Sequence, residues 1–551
     1  MPVAAPNCEE GEAPPKLLGD QDQTTKTDAT EHRNAFAPGE SKKPVVRSRM
    51  FLHDVALTMC AEATAVISNL VVASILSRGA GARALSQYLL VRRVLSWIVA
   101  AALLGLVNGL PRFVAHASGH AEPNGPAYFL AASICMIPSA LIVGGFMIMY
   151  REVCARWLFG DVQETGMVVA LALLLLGFAI HRAVYGYYRG LLDMTNANVL
   201  EICNATLLPL GVVVVLYRSE PVAVMMGAIG LSTTALSAVF AVPVLRQVRR
   251  APARKIPKFC GELLWYGTPR VPGEFGAAAL TALGPMMAAH YMKITQVSPL
   301  LLGLNLLMVT GYAAGPLGVV LLSKVSMMLG KNQYDQVQAR LRLLLIAVIE
   351  ISVFTCIQLA VFADVVVRAW VGPAFLNEMG VIRIVLLAIP PYLFFVTLRS
   401  TIDAVTVKPF NTVNVLASLG AYLALMAAWI QYFPDRSLLA GIAGALLSSQ
   451  ILLATLTLRT FRRFYGLRLP WRQLSPSFVT ATALGGIAFV IRWLSGNSLP
   501  LWLAILLELS LTVGYLGVLA HRKSEWISYM WNAGFCGNAE WEPELACGRK
   551  A

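Results

Sequence analysis

Charge is scarce in this sequence. Only 13% of its 551 residues are Asp, Glu, Lys or Arg, about half the share found in water-soluble domains. Hydrophobic residues make up 57%, and the mean hydropathy is +0.65. Together these values exclude a water-exposed globule of this length. Metal and nucleotide motifs are missing too. The nine cysteines, at 8, 60, 135, 154, 203, 260, 356, 536 and 547, form no CxxC or other metal-ligand spacing. Most lie in apolar runs, where a thiol behaves as a small hydrophobe, so neither a disulfide nor zinc is expected. No P-loop, GxSxG or HExxH occurs, which leaves an ATP-driven pump or a hydrolase unsupported. No short apolar core with a small-residue cleavage site opens the chain. Residues 1–49, rich in Pro, Glu, Thr and Lys, therefore read as a disordered cytoplasmic tail.

What the sequence does have is a series of apolar runs about 20 residues long, the length that crosses a bilayer as a helix. Fourteen spans are predicted, at 51–76, 84–107, 126–150, 166–188, 196–217, 222–245 and 263–290, then at 297–322, 341–363, 379–400, 410–431, 438–459, 477–495 and 499–520. They are numbered 1 to 14 below. The expected class is an all-α polytopic membrane protein. Span 7 is interrupted by Gly267-Thr268-Pro269-Arg270-Val271-Pro272-Gly273-Glu274. Such a break is tolerated where neighbours or water satisfy the freed backbone, so it marks a cavity element.

Basic residues set the orientation. Formal net charge is +14, with 44 Lys plus Arg against 30 Asp plus Glu. The excess lies between spans, so anionic lipid is its natural counter-charge rather than nucleic acid. Arg246, Arg249, Arg250, Arg254, Lys255 and Lys258 follow span 6, and Arg459, Arg462, Arg463, Arg468 and Arg472 surround the turn after span 12. Odd-numbered loops hold one or two cations each, such as Arg218, Lys293 and Arg436, and none is long enough for an extracytoplasmic domain. The positive-inside rule then puts both termini in the cytoplasm.

The spans repeat. Arg189, Asp193 and Asn204 match Arg399, Asp403 and Asn414 at an offset of 210. Glu62 matches Glu274, and Arg112 matches Lys324, at 212; Gly227 and Gly230 match Gly441 and Gly444 at 214. The unit is six helices, so the second copy keeps the orientation of the first and the path is expected between the halves. The predicted organisation is a tail (1–49), an N-lobe (50–258, spans 1–6), a C-lobe (259–472, spans 7–12), two extra helices (473–522, spans 13 and 14) and a cytoplasmic tail (523–551).

Ionisable groups at membrane depth cost about 2.5 kcal/mol or more, so they face a cavity or a partner. Arg92 and Arg93 in span 2, Arg182 in span 4 and Arg270 in span 7 are the candidate holders of an anionic group. Arg92 and Arg93 point about 100° apart on a helix, so one is expected to face the lumen and the other to snorkel outward. Glu62 and Glu274 are either coupling-ion sites or structural partners of nearby arginines, with Arg270 one turn before Glu274 as its natural partner. Glu201, Glu350, Arg383 and Glu508 are further intramembrane candidates. Arg189–Asp193 and Arg399–Asp403 read as i,i+4 pairs at helix ends. Tyr185, Tyr187 and Tyr188 read as an interfacial belt before a sugar platform. The glycine pairs read as close helix packing. A net-basic lumen suits a bulky anionic substrate better than a cationic drug.

Several segments carry a family resemblance. They are Ser77-Arg78-Gly79 with Gly81 and Tyr88, Gly109-Leu110-Pro111-Arg112-Phe113-Val114, Tyr188-Arg189-Gly190-Leu191-Leu192 and Trp265-Tyr266-Gly267-Thr268-Pro269-Arg270. With the helix count of six plus six plus two, they make the chain resemble the multidrug/oligosaccharidyl-lipid/polysaccharide exporter superfamily, and within it the polysaccharide-flippase branch. The resemblance covers about residues 50–470 and extends more weakly through the last two helices. It implies a MATE-like fold of two six-helix lobes around an alternately open cavity, in the inner membrane. The implied cargo is an undecaprenyl-diphosphate-linked oligosaccharide, its diphosphate on basic lumen residues and its polyprenyl tail in lipid. No cofactor is implied beyond coupling to protons or sodium. A polysaccharide polymerase and glycosyltransferases of the same pathway are the implied partners. A lipid II flippase and a multidrug antiporter share the fold; a polymerase or ligase needs a large outer loop that this chain lacks.

The alternation of basic loops is directly testable. A reporter fused after Arg254 or Arg468 is expected to read cytoplasmic, and one after Asp435 extracytoplasmic; a cytoplasmic signal at Asp435 breaks the span count.

Overall fold

The computed structural model describes residues 48–118, 124–248, 253–312, 334–405, 409–433, 437–467, 469–495, 500–522 and 524–528. Apart from 48–49 and 524–528, both expected tails lie outside these residues, as do Lys324, Arg436 and Arg468. Contacts divide the chain into Met1–His53 and Asp54–Ala551, and everything below concerns the second unit. The described residues are helical throughout, without a strand. In hydrocarbon that is forced, since a helix is the open structure that satisfies every backbone group internally.

Among the described residues, twelve helices are long and apolar enough to cross a membrane, and thirteen if the bent pair Gly81–Ala102 and Leu106–Ala117 counts as span 2. Span 7 is the one expected span outside that count. It runs as Ile256–Gly267, a 3-10 turn at Thr268–Arg270 and Val271–Tyr291, and Glu274, Pro285 and His290 dilute its apolar character. Its helix starts at Ile256 rather than near 263, because Pro257 suits the first turn of a helix. Span 9 is also longer than predicted, running from Tyr334 to Trp370.

Spans 2 and 7 meet where each is broken. Span 2 bends by 53° at Leu104 and Gly105, two consecutive left-handed residues with φ of 55° and 68°. Gly105 lies against the Gly267 carbonyl, just before the 3-10 turn of span 7, and Gly267 in turn lies against the Leu104 carbonyl. A side chain at either position would force the two helices apart. Trp97 and Phe275 pack at 5.0 Å between the same spans.

The repeat read from the sequence has matching side-chain roles in the two halves. Asn204 of span 5 donates to Ser237 of span 6 (3.1 Å), and Asn414 of span 11 donates to Thr460 of span 12 (3.2 Å). Both asparagines are buried. The acids at the ends of spans 4 and 10 do not pair with the arginines one turn earlier. Asp193 instead caps the next helix through the Asn196 N–H (3.2 Å) and side chain (2.7 Å), and Asp403 accepts from the Asn411 side chain (2.8 Å). An N-cap satisfies an orphan backbone donor, which an exposed ion pair does not, and that favours the cap.

Spans 13 and 14 pack on span 9. Tyr515 stacks on Phe354 at 4.3 Å, and Ala488, Ala504 and Leu511 cluster around Phe362. Two acids of span 9 are answered here. Arg492 of span 13 grips Asp364 through two bonds of 2.8 and 2.5 Å and also reaches the Val361 carbonyl. Glu350 accepts from Ser477 (2.6 Å), Ser524 (3.1 Å) and Trp526 (2.7 Å).

The glycine pairs separate into different roles. Gly230 of span 6 lies against the backbone of Leu173 and Leu174 in span 4, where a Cβ would stand 2.7 Å away. Gly441 faces the Trp429 ring, and Gly444 faces open space. Gly230→Leu is therefore expected to destabilise the protein by about 1–3 kcal/mol through overpacking, while Gly444→Leu stays within about 0.5 kcal/mol. Thermal unfolding of the two variants in detergent checks the contrast.

Candidate functional site

Arg92 and Arg93 leave span 2 about 100° apart on the helix, but neither snorkels outward. Both have Tyr312 of span 8 as an electrostatic neighbour. Arg92 donates to the Tyr88 hydroxyl (2.8 Å), one turn earlier in its own helix. Tyr88 donates to Asn69 of span 1 (3.3 Å), and Asn69 donates to Asn305 of span 8 (3.4 Å). This chain of side chains links the two halves. The Asn305 amide nitrogen at its end is buried and has no partner among the described residues.

Arg93 is only 9% exposed, and its guanidinium makes no hydrogen bond or ion pair among the described residues. Tyr312 and Tyr392 of spans 8 and 10 are its electrostatic neighbours from the other half. Thr397 of span 10 and Trp97 of span 2 also have buried polar atoms without a partner among the described residues. Two adjacent guanidiniums thus sit at membrane depth among neutral side chains. Among the described residues no carboxylate comes within ion-pair distance of either one.

The other predicted residues divide between the two halves. Arg182 lies 3.8 Å from Glu201 and over the Phe178 and Tyr185 rings at 5.9 and 5.7 Å, so it already has a counter-charge. His181 completes that cluster, 2.9 Å from Glu201 and 2.8 Å from the Asn204 amide. Glu62 faces it with Glu201, Arg182 and Arg189 as electrostatic neighbours, yet forms no hydrogen bond or ion pair among the described residues. The signal for His181 is present in the sequence: a histidine inside an apolar spanning run, next to Arg182.

In the second half, Arg270 turns back on its own helix. It donates to the Tyr266 carbonyl (2.6 Å) and lies 3.8 Å from the Tyr266 ring centroid. Arg112 of span 2 takes the same tyrosine, 3.2 Å from its hydroxyl. The predicted Arg270–Glu274 pair is not formed. Glu274 instead accepts from Asn108 of span 2 at 2.8 Å, because the 3-10 turn at Thr268–Arg270 breaks the spacing that would align the two. Arg399, matched to Arg189 by the repeat, is a neighbour of both Glu274 and Asp403. Sequence spacing alone assigns it to a helix-end pair.

Two concavities lie elsewhere. One of about 640 Å³ is lined by Arg462, Gly466, Leu469 and Trp471, and one of about 410 Å³ lies between spans 9 and 14. Neither includes any of the six predicted residues.

No protein-family model matches the chain, and no curated protein does. Solved structures do. A lipid II flippase, MurJ, in an inward closed conformation superposes with a TM-score of 0.61 at 12% identity, over 86% of this chain and 99% of that one. An inward-facing multidrug-resistance MATE transporter of the MOP superfamily gives 0.56 at 15%, over 73% and 95%. The eukaryotic MATE transporter AtDTX14 also gives 0.56 at 15%, over 79% and 99%. At these identities the likeness establishes the fold. The chain is a multi-pass membrane protein with the fold of MOP-superfamily transporters.

Proposed function

We propose that this protein is a flippase that moves an undecaprenyl-diphosphate-linked oligosaccharide from the inner to the outer leaflet for cell-surface polysaccharide synthesis. It would do so by alternating access, in the inner membrane with both termini cytoplasmic. The observation that carries this reading is the pair Arg92 and Arg93, which no carboxylate among the described residues compensates. A buried guanidinium without an anion is costly, and here two lie side by side between the halves, each next to tyrosines of spans 8 and 10 or of its own helix. A diphosphate supplies the missing charge, and Arg forks match its oxygens. The asparagines and tyrosines around them suit the hydroxyls of a sugar. A cationic drug, the cargo of a multidrug antiporter, would meet this charge with the wrong sign. Lipid II carries the same diphosphate-polyprenyl chemistry and is the alternative cargo, favoured by the superposition on its flippase over 99% of that chain. Glycosyltransferases and a polymerase would stand before and after this step.

The direction of transport has a physical drive. Each negative charge carried outward under an inside-negative potential of 100 mV releases about 2.3 kcal/mol. Return of a proton at Glu62 adds to that drive in our reading, since Glu62 lies beside the Arg182–Glu201–His181 cluster without a bonded partner among the described residues. Sodium is the other coupling ion consistent with a carboxylate there.

Arg92→Ala combined with Arg93→Ala is expected to abolish glycan export with protein level unchanged, and the Lys variants to retain part of it if charge alone is needed. Full export by the Ala variant would end the anion-site reading. For coupling, Glu62→Gln in reconstituted vesicles is expected to lose the response of flipping to an imposed pH gradient while keeping its response to the potential. An undiminished pH response removes Glu62 from the mechanism.

A further inference from the structure

Six cysteines fall among the described residues, all of them free thiols. Two of them meet across the halves. Cys135 lies in span 3 of the first half, and Cys260 lies in the opening segment of span 7, Ile256–Gly267, of the second. The Cys260 thiol donates to the Ala131 carbonyl at 3.7 Å, one helical turn before Cys135 and on the same face of span 3. There it is also the hydrogen-bond partner of the Cys135 thiol. A thiol is a weak donor and a weak acceptor, so this contact holds little by itself. The helices around it do the holding.

The Ile256–Gly267 segment is seated on spans 2 and 3 along its length. Near its start, Phe259 is buried with its ring 4.3 Å from that of Tyr128 in span 3. Glu262 then accepts from the Tyr128 hydroxyl at 2.5 Å. At the far end, Tyr266 packs edge-on against Phe113 of span 2, with 5.7 Å between ring centres. These anchors stand on both sides of Cys260 and fix its register against span 3. Both thiols are partly exposed rather than sealed in the core, so a small neutral reagent dissolved in the bilayer can reach them. The basic-loop pattern puts the start of span 7 at the cytoplasmic side, where thiols stay reduced. The pair is thereby kept as a dithiol.

We infer that Cys135 and Cys260 form a dithiol site that takes trivalent arsenic compounds and, once loaded, ties the two halves together covalently. Sulfur is a soft ligand and suits so soft a centre. The step is a condensation and needs no oxidant. With an arylarsine oxide, each sulfur forms one bond to arsenic, the arsenic–oxygen double bond breaks, and the two thiol protons leave with that oxygen as one water. Arsenic remains trivalent throughout. Two thiols already in contact share one arsenic without rearrangement of the helices. A lone thiol such as the buried Cys356 offers a single bond, which water reverses. The site exists whatever the protein carries.

The test uses phenylarsine oxide on the full-length protein in detergent. One form keeps Cys135 and Cys260 and replaces the other seven of its nine cysteines with serine. It is expected to gain one phenylarsenic group per chain by intact mass, which the dithiol dimercaptopropanol removes and the monothiol mercaptoethanol leaves in place. Adding Cys135→Ser or Cys260→Ser to this form should lower uptake about tenfold or more. The nine-cysteine protein is measured beside it, so the result does not depend on how the depleted form folds. There the reagent should raise the unfolding temperature by about 2 °C or more, because a cross-link restrains the unfolded chain, and Cys135→Ser should abolish the rise. Undiminished uptake after either single change, or uptake that mercaptoethanol reverses, would overturn the dithiol site. Uptake without a rise in unfolding temperature would overturn the tie between the halves, and no uptake at all would refute the apposition of the two thiols.

Discussion

Hydrocarbon gives a polar group no water to fall back on, and most of what is specific in this fold follows from that constraint. Each charge that enters a span has to be answered by a side chain, a carbonyl, a ring or a ligand. Asp364 is answered by Arg492, Glu201 by His181 and Arg182, Glu274 by Asn108, and Arg270 by the carbonyl and ring of Tyr266. Once these are set aside, Arg92 and Arg93 remain answered, among the described residues, by neutral groups, and Glu62 and Glu508 remain as carboxylates without a bonded partner there. The functional reading is built on this remainder. It separates ions that hold the protein together from ions left available to something that comes and goes.

The same constraint decides how the halves communicate. Neutral links such as Tyr88–Asn69–Asn305 and Ser86–Ser298 cross between them, and so do single contacts from a charge to a carbonyl or amide. The paired-charge clusters among the described residues, by contrast, do not cross from one half to the other. His181, Arg182 and Glu201 are all in spans 4 and 5, and Asp364, Arg383 and Arg492 are in spans 9, 10 and 13. Breaking a buried ion pair costs about 3–5 kcal/mol, whereas a neutral hydrogen bond contributes about 1 kcal/mol. The ion pairs therefore hold elements of the same part of the fold together, while hydrogen bonds, some of them to a carboxylate such as Tyr128–Glu262 at 2.5 Å, join the halves.

Spans are legible in the sequence because a bilayer imposes their length, and the six-helix repeat because Asn204 and Asn414 keep the same structural task. Pairings are less legible. The i,i+4 spacing of Arg270 and Glu274 predicts a contact that a 3-10 turn removes, and Glu274's partner, Asn108, lies 166 residues away in sequence. The same holds for Asp193 and Asp403, where local spacing suggests salt bridges and the following helix claims the carboxylates. Arg399 is only partly legible locally: Asp403 stands one turn away in its own helix, whereas Glu274 becomes a neighbour only once spans 7 and 10 are packed. Long-range partners of this kind leave no local periodicity to read.

Glu350 has a consequence for how the protein is made. It enters the membrane with span 9, but its three donors lie 127, 174 and 176 residues later in the chain. At a synthesis rate of about 5–20 residues per second, the wait for Trp526 is on the order of ten seconds or more. During that interval a carboxylate sits in a nascent helix with none of these three donors yet made. Span 9 therefore cannot reach its final environment until spans 13 and 14 have left the ribosome, which makes the last two helices participants in the biogenesis of a much earlier one.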